Sequence, residues 1–131
     1  MEDSTMPDQT PNVHPMTTRF LGKEVYVAVT RPVRSPQITD ELLQTHLQSQ
    51  VALEKQGVMF AAGPLYGEDS DLPVAGMFVI RAGSFAEAKE ILDKDPLHKA
   101  GLRHYTLQKW RINEGSYTVT VNYSDQSVSI A

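Results

Sequence analysis

The tightest constraint on how this chain can fold is the stretch Asp93-Lys94-Asp95-Pro96-Leu97-His98-Lys99-Ala100-Gly101-Leu102. The proline ring clashes with the backbone that precedes it, so a helix arriving from upstream gives out at Asp95-Pro96. Gly101 then lets the backbone turn toward a strand. Asp95 is thereby expected at a sharp corner between the last helix and the last core strand. Two roles are open to it there. Aspartate is common in turns because its side chain hydrogen-bonds locally, or the carboxylate meets a residue distant in sequence. The distant candidate is His46.

The segments around that corner read as alternating strands and helices. Lys23 to Arg31 alternates, with Val25, Val27 and Val29 on one face and Tyr26, Ala28 and Thr30 on the other. Pro32 and Pro36 break it into a loop carrying Arg31 and Arg34, which either meet an anionic ligand at the strand's end or, as surface charges commonly do, are simply solvated. A helix is expected from Thr39 to Gln56, with Thr39 as N-cap, Asp40 and Glu41 at the positive end of its dipole, and Gly57 as its stop. Its buried stripe is read as Leu42, Leu43, Leu47 and Leu53. At about 100° per residue, His46 lies about 40° from Leu42 and about 20° from Leu53, so it faces the sheet. Val58 to Gly63 is a short apolar strand that Gly63-Pro64 ends, and Val74 to Ala82 is its antiparallel partner across a long loop. Glu68, Asp69 and Asp71 in that loop lack the alternating spacing of a calcium loop. Ser84 with Glu87 three residues later is a capping box opening a second helix through Ala88, Ile91 and Leu92. Leu102 to Ile112 is the fourth strand, with Tyr105 and Leu107 on one face and Thr106, Trp110 and Ile112 on the other. Tyr117, Val119, Val121 and Tyr123 then alternate with polar residues. A turn at Ser124-Asp125-Gln126 and a return through Val128 and Ile130 complete a hairpin.

Three segments follow: a disordered N-terminal arm (residues 1–18, with Pro7, Pro11 and Pro15), an α+β domain (residues 19–114) and a C-terminal β-hairpin extension (residues 115–131). The order strand, helix, strand, strand, helix, strand predicts a ferredoxin-like βαββαβ arrangement, an antiparallel sheet with two helices on one face. Its other face covers roughly 400 Å² for four strands of about seven residues, near the limit a soluble monomer leaves bare. Packing sheet against sheet in a homodimer, as a dimeric α+β barrel, would cover it.

The composition excludes several classes. There is no cysteine, hence no disulfide and no thiolate chemistry. A net charge of −4 is mild and of the wrong sign for a nucleic-acid partner. No apolar run is long enough to span a bilayer, and the N-terminus lacks the pattern of a secretory signal, so the expectation is a cytoplasmic protein with no membrane partner.

His46, the run Leu53-Glu54-Lys55-Gln56-Gly57-Val58, then Ala62-Gly63-Pro64-Leu65, then Asp95-Pro96 with Ala100-Gly101-Leu102 and Trp110, together resemble the YCII-related domain family of the dimeric α+β barrel superfamily. The resemblance spans about Lys23 to Ile112 and implies a His-Asp active site, which maps onto His46 and Asp95. It also implies a pocket for a small-molecule substrate or ligand shaped by the Gly63-Pro64 bend, with Leu65 and Leu97 beside it. Leu97 departs from the aromatic residue often found after Asp-Pro in the family.

The chemistry of such a pair follows from the side chains. Burial disfavours an imidazolium and a neighbouring carboxylate favours it, opposed effects that suit acid and base work near neutral pH. The carboxylate also fixes the tautomer. With no cysteine and no serine in a nucleophile elbow, proton movement is favoured over acyl transfer. The expected function is a small lyase or isomerase acting, without a cofactor, on a small cyclic or aromatic-derived substrate. His46 takes the proton and Asp95 orients it. The alternative is a non-catalytic small-ligand-binding dimeric module in which the two residues only share a buried hydrogen bond. A metal site built from His46, Asp95, His98 and His104 is set aside, because the ligand set is loose and Lys94 and Lys99 oppose a cation.

Overall fold

The computed structural model describes residues 14–33 and 38–131. Most of the expected arm, and Arg34 of the first loop, lie outside the described residues. The chain divides into two compact units, one of residues 24–111 and one of residues 1–23 with 112–131.

In the larger unit, β1 (Lys23–Pro32) leads to α1 (Asp40–Lys55), β2 (Met59–Tyr66), β3 (Pro73–Ile80), α2 (Phe85–Asp93), α3 (Pro96–Lys99) and β4 (Arg103–Ile112). The strands form one sheet in the order β2-β3-β1-β4. β3 pairs antiparallel with both β1 and β2. The β1/β3 register sets Tyr26 opposite Ile80, Ala28 opposite Phe78 and Thr30 opposite Gly76. These positions share the helix-facing side, and Tyr26, Ala28, Phe78 and Ile80 join Met59, Ala88 and Leu92 in the core. Side chains on a strand alternate between faces, which is why the even-numbered residues of β1 are the ones that go under the helices.

The capping residues act as their chemistry dictates. Thr39 Oγ1 accepts from Leu42 N at 3.1 Å, and Ser84 Oγ accepts from Glu87 N at 3.1 Å. Gly57, at φ 77°, ends α1 in a left-handed conformation that only glycine adopts without strain.

Three expectations are corrected. The sheet is not closed into a barrel: β2 and β4 are open edges of a four-stranded sheet, and three helices accompany it rather than two. The third helix is α3. The Asp95-Pro96 pair that ends α2 also starts a new turn, because aspartate is a strong N-cap and the fixed φ of proline suits the first helical position. Second, β2 does not stop at Gly63-Pro64 but runs through it to Tyr66, with Gly63 opposite Met77 and Pro64 opposite Gly76. A proline is tolerated because β2 is an edge strand and needs no donor on its outer side. Third, α1 buries no residue completely; Leu43 and Leu47 are 42% and 50% exposed, because this side of the helix overhangs a hollow rather than the sheet.

In the smaller unit, Pro15–Arg19 forms a 3-10 turn capped by His14, whose Nδ1 accepts from Met16 N at 3.0 Å. β5 (Val119–Asn122) and β6 (Ser127–Ile130) pair antiparallel as the C-terminal hairpin. Val119, Val121, Val128 and Ile130 share its apolar face and are all more than half exposed.

Candidate functional site

The corner at Asp95 is built by its own carboxylate. Oδ2 accepts from Leu97 N at 3.0 Å, which caps α3. The other oxygen, Oδ1, is left to reach away from α3, and it lies 2.7 Å from Nδ1 of His46 on α1. Two residues 49 positions apart are therefore joined by a single buried contact. Exposure is 12% for the histidine side chain and 5% for the aspartate. Because an ionised carboxylate only accepts, Nδ1 carries the hydrogen and Nε2 of the neutral ring keeps its lone pair. Among the described residues no hydrogen bond engages Nε2.

His46 lines a cavity of about 230 Å³ between α1 and the sheet. An engineered cavity of about 150 Å³ holds a benzene molecule, so this one has room for a single substituted ring. Its walls are mostly apolar, from Leu43, Leu47, Phe78, Leu97 and the Pro64 and Pro73 rings. Of the residues expected beside the pocket, Gly63, Pro64 and Leu97 line it, whereas Leu65 lies outside its lining and pairs with Ala75 in the sheet. Leu97 is buried, and its backbone N–H is the one that Asp95 caps, so the wall and the dyad are set by the same turn.

Besides Gln50, two polar residues of the cavity were not singled out by their sequence context. Thr30, fully buried on β1, has Oγ1 2.8 Å from Nε2 of His98. His98 Nδ1 lies 2.8 Å from the carbonyl oxygen of Leu92, which can only accept, so Nδ1 donates and the neutral ring takes the Thr30 hydroxyl hydrogen on Nε2. Arg103, at the start of β4, is the other. Its position was readable: it stands two residues before Tyr105 and four before Leu107, on the strand face that turns toward the core. A charged residue on that face is unusual enough to be a signal.

The metal reading does not assemble. Both His98 nitrogens are engaged, and His104 is exposed. Among the described residues no group of three or more His, Asp or Glu side chains is placed to hold a metal ion. No helix of the described residues is long and apolar enough to cross a membrane.

Comparison with known proteins bears on residues 23–111, which match the family model described as the YCII-related domain. No curated protein matches the chain. Among solved structures, a similar one is the 5-chloro-2-hydroxyhydroquinone dehydrochlorinase of Burkholderia phenoliruptrix in complex with 2,5-dihydroxybenzoquinone. It shares 19% identity at a TM-score of 0.49, over 65% of this chain and 92% of that chain.

Proposed function

For a chain that belongs to the YCII-related domain family, we propose that His46 and Asp95 form a general acid-base pair of a small lyase or isomerase. The observation that carries this reading is the 2.7 Å contact between them at the wall of a cavity sized for one ring. Asp95 holds the imidazole in the tautomer that leaves Nε2 as the base. As Nε2 takes a proton from a substrate carbon, the carboxylate offsets the positive charge that forms on the ring. The electron pair of the broken C–H bond becomes a double bond. Either a leaving group departs with its own pair from the adjacent carbon, which is elimination, or the proton returns at another atom, which is isomerisation.

The apolar walls suit a small cyclic or aromatic-derived substrate, whose ring packs against them. The reading also carries a homodimer paired on the sheet face opposite the helices, where Val27, Met77 and Trp110 surround a shallow hollow. Sedimentation of the wild type against Trp110→Lys checks it: a wild type that sediments as a monomer removes it.

The central test is deuterium wash-in from D2O into a panel of single-ring enolisable and halogenated compounds, followed by NMR. Wild type is expected to label or convert at least one of them, and His46→Ala to lose that activity while keeping its fold. Activity retained in His46→Ala refutes the role of His46. A panel left untouched while its members still bind the cavity supports a ligand-binding module instead.

A further inference from the structure

Arg103 is buried at its root without a partner. Its Nε is shielded from solvent and has no hydrogen bond. A buried donor left unpaired is destabilising, the more so when the group is charged. The other cations of β4 are treated differently. Lys109 and Arg111 share Glu24, at 3.6 and 2.9 Å. At Arg103, among the described residues, no carboxylate lies within ion-pair distance.

Arg103 lines the same cavity as His46 and Thr30. Gly76 lines the cavity beside it: a Cβ there would crowd Thr30 Cγ2 at 3.1 Å and make ordinary contact with Arg103 Nη1 at 3.6 Å. Asp95 is the one carboxylate of the dyad, and both its oxygens are already in use. The cavity wall therefore carries the charge of Arg103, and among the described residues no carboxylate pairs with it.

Resting on the acid-base reading of the same site, we infer that Arg103 selects small ring compounds bearing a carboxylate, which its two terminal Nη groups grip. The fork of N–H groups matches the two carboxylate oxygens in spacing and plane, where a single-point donor would not. An apolar ring then lies against Leu43, Leu47 and Phe78, and the carboxylate fixes which ring carbon is offered to His46. Arg103 is thus a specificity residue of the site.

Benzoate and its neutral isostere benzamide are the probes, titrated separately into the protein while the arginine Nε–Hε correlations are followed by NMR. Benzoate is expected to shift the Arg103 Nε–Hε signal and to bind about tenfold or more tightly than benzamide, the scale of one charge-assisted hydrogen bond. Arg103→Gln is expected to erase the preference, and Arg103→Lys to keep part of it. Equal affinities for the two probes in the wild type, no binding of either, or a preference that survives in Arg103→Gln each overturn the inference; the wild-type comparison stands even if a variant fails to fold. The two readings fail separately. A benzoate preference that persists in His46→Ala, together with deuterium wash-in that also persists there, removes the base and leaves the anion site. Wash-in lost in His46→Ala with no preference between the probes does the reverse.

Discussion

His46 and His98 make an instructive pair, because they begin alike. Both rings lie against Phe78, with centroids 5.9 and 5.8 Å from it and nearly equal tilts of 36° and 37°. Both use Nδ1 as a donor to a fixed acceptor. The acceptors differ. His46 donates to the Asp95 carboxylate, and His98 to the carbonyl oxygen of Leu92. A carbonyl orients a ring; a carboxylate orients it and also stabilises the cation it becomes on taking a proton. The outer nitrogens differ as well. That of His98 is occupied by the Thr30 hydroxyl, whereas that of His46 has no partner among the described residues. Identical side chains on one aromatic neighbour thus differ in what each nitrogen meets: His98 braces α3 against β1, and His46 keeps an outer nitrogen with no partner among the described residues.

The sharpest way to break this contrast is to remove each ring in turn. His46→Ala is expected to lower turnover by about 10²–10⁴-fold, the usual contribution of a general base, and to cost roughly 1–3 kcal/mol of stability by leaving Asp95 Oδ1 unpaired. The pair of measurements is substrate conversion and a urea unfolding curve. Asp95→Asn separates the two duties of that residue. Asparagine caps helices nearly as well as aspartate, so stability should change by less than about 1 kcal/mol, while turnover falls because the amide no longer answers the charge on His46. Unchanged turnover in Asp95→Asn would show that the carboxylate only caps.

His98→Ala should lower stability and leave the acid-base pair in place. It strands the buried Thr30 hydroxyl and the Leu92 carbonyl, at a cost of roughly 1–3 kcal/mol in unfolding free energy. A variant as stable as the wild type would mean that water replaces the ring at no loss. The smallest effect concerns Tyr105, which packs on His98 with centroids 5.0 Å apart and donates to Asp93 at 2.8 Å. Burial, with the Asp93 carboxylate beside it, pushes its phenol up from 10.0 to about 12. The folded form keeps this proton after the unfolded chain has released it. Its contribution to stability is therefore complete below pH 10 and disappears as pH rises toward 12. Unfolding curves at pH 9 and pH 11.5 should show that loss in the wild type and a smaller one in Tyr105→Phe.

Local chemistry was legible in the sequence wherever one residue decides it. Thr39, Gly57 and Ser84 mark their helix ends because a cap or a left-handed turn needs those residue types. The approach of His46 to Asp95 was foreshadowed by helical phase on one side and by the Asp-Pro corner on the other. What failed depended on neighbours. Gly63-Pro64 looks like a strand end, yet it is harmless on an edge, and edge position is a property of the whole sheet. Leu43 and Leu47 have the spacing of a buried stripe, but periodicity does not say that the helix spans a hollow. The barrel was an inference about an exposed face, and nothing in the order of elements requires a sheet of four strands to close on itself.

The two oxygens of Asp95 have one further consequence. A single carboxyl group both starts the turn that carries Leu97 and holds the His46 ring. Anyone grafting a different α3 onto this scaffold to reshape the pocket wall would be moving the pivot of the chemistry along with the wall. Alterations of specificity are better attempted from the opposite bank, on β2 and β4, where Pro64 and Arg103 face the same space without touching the dyad's anchor.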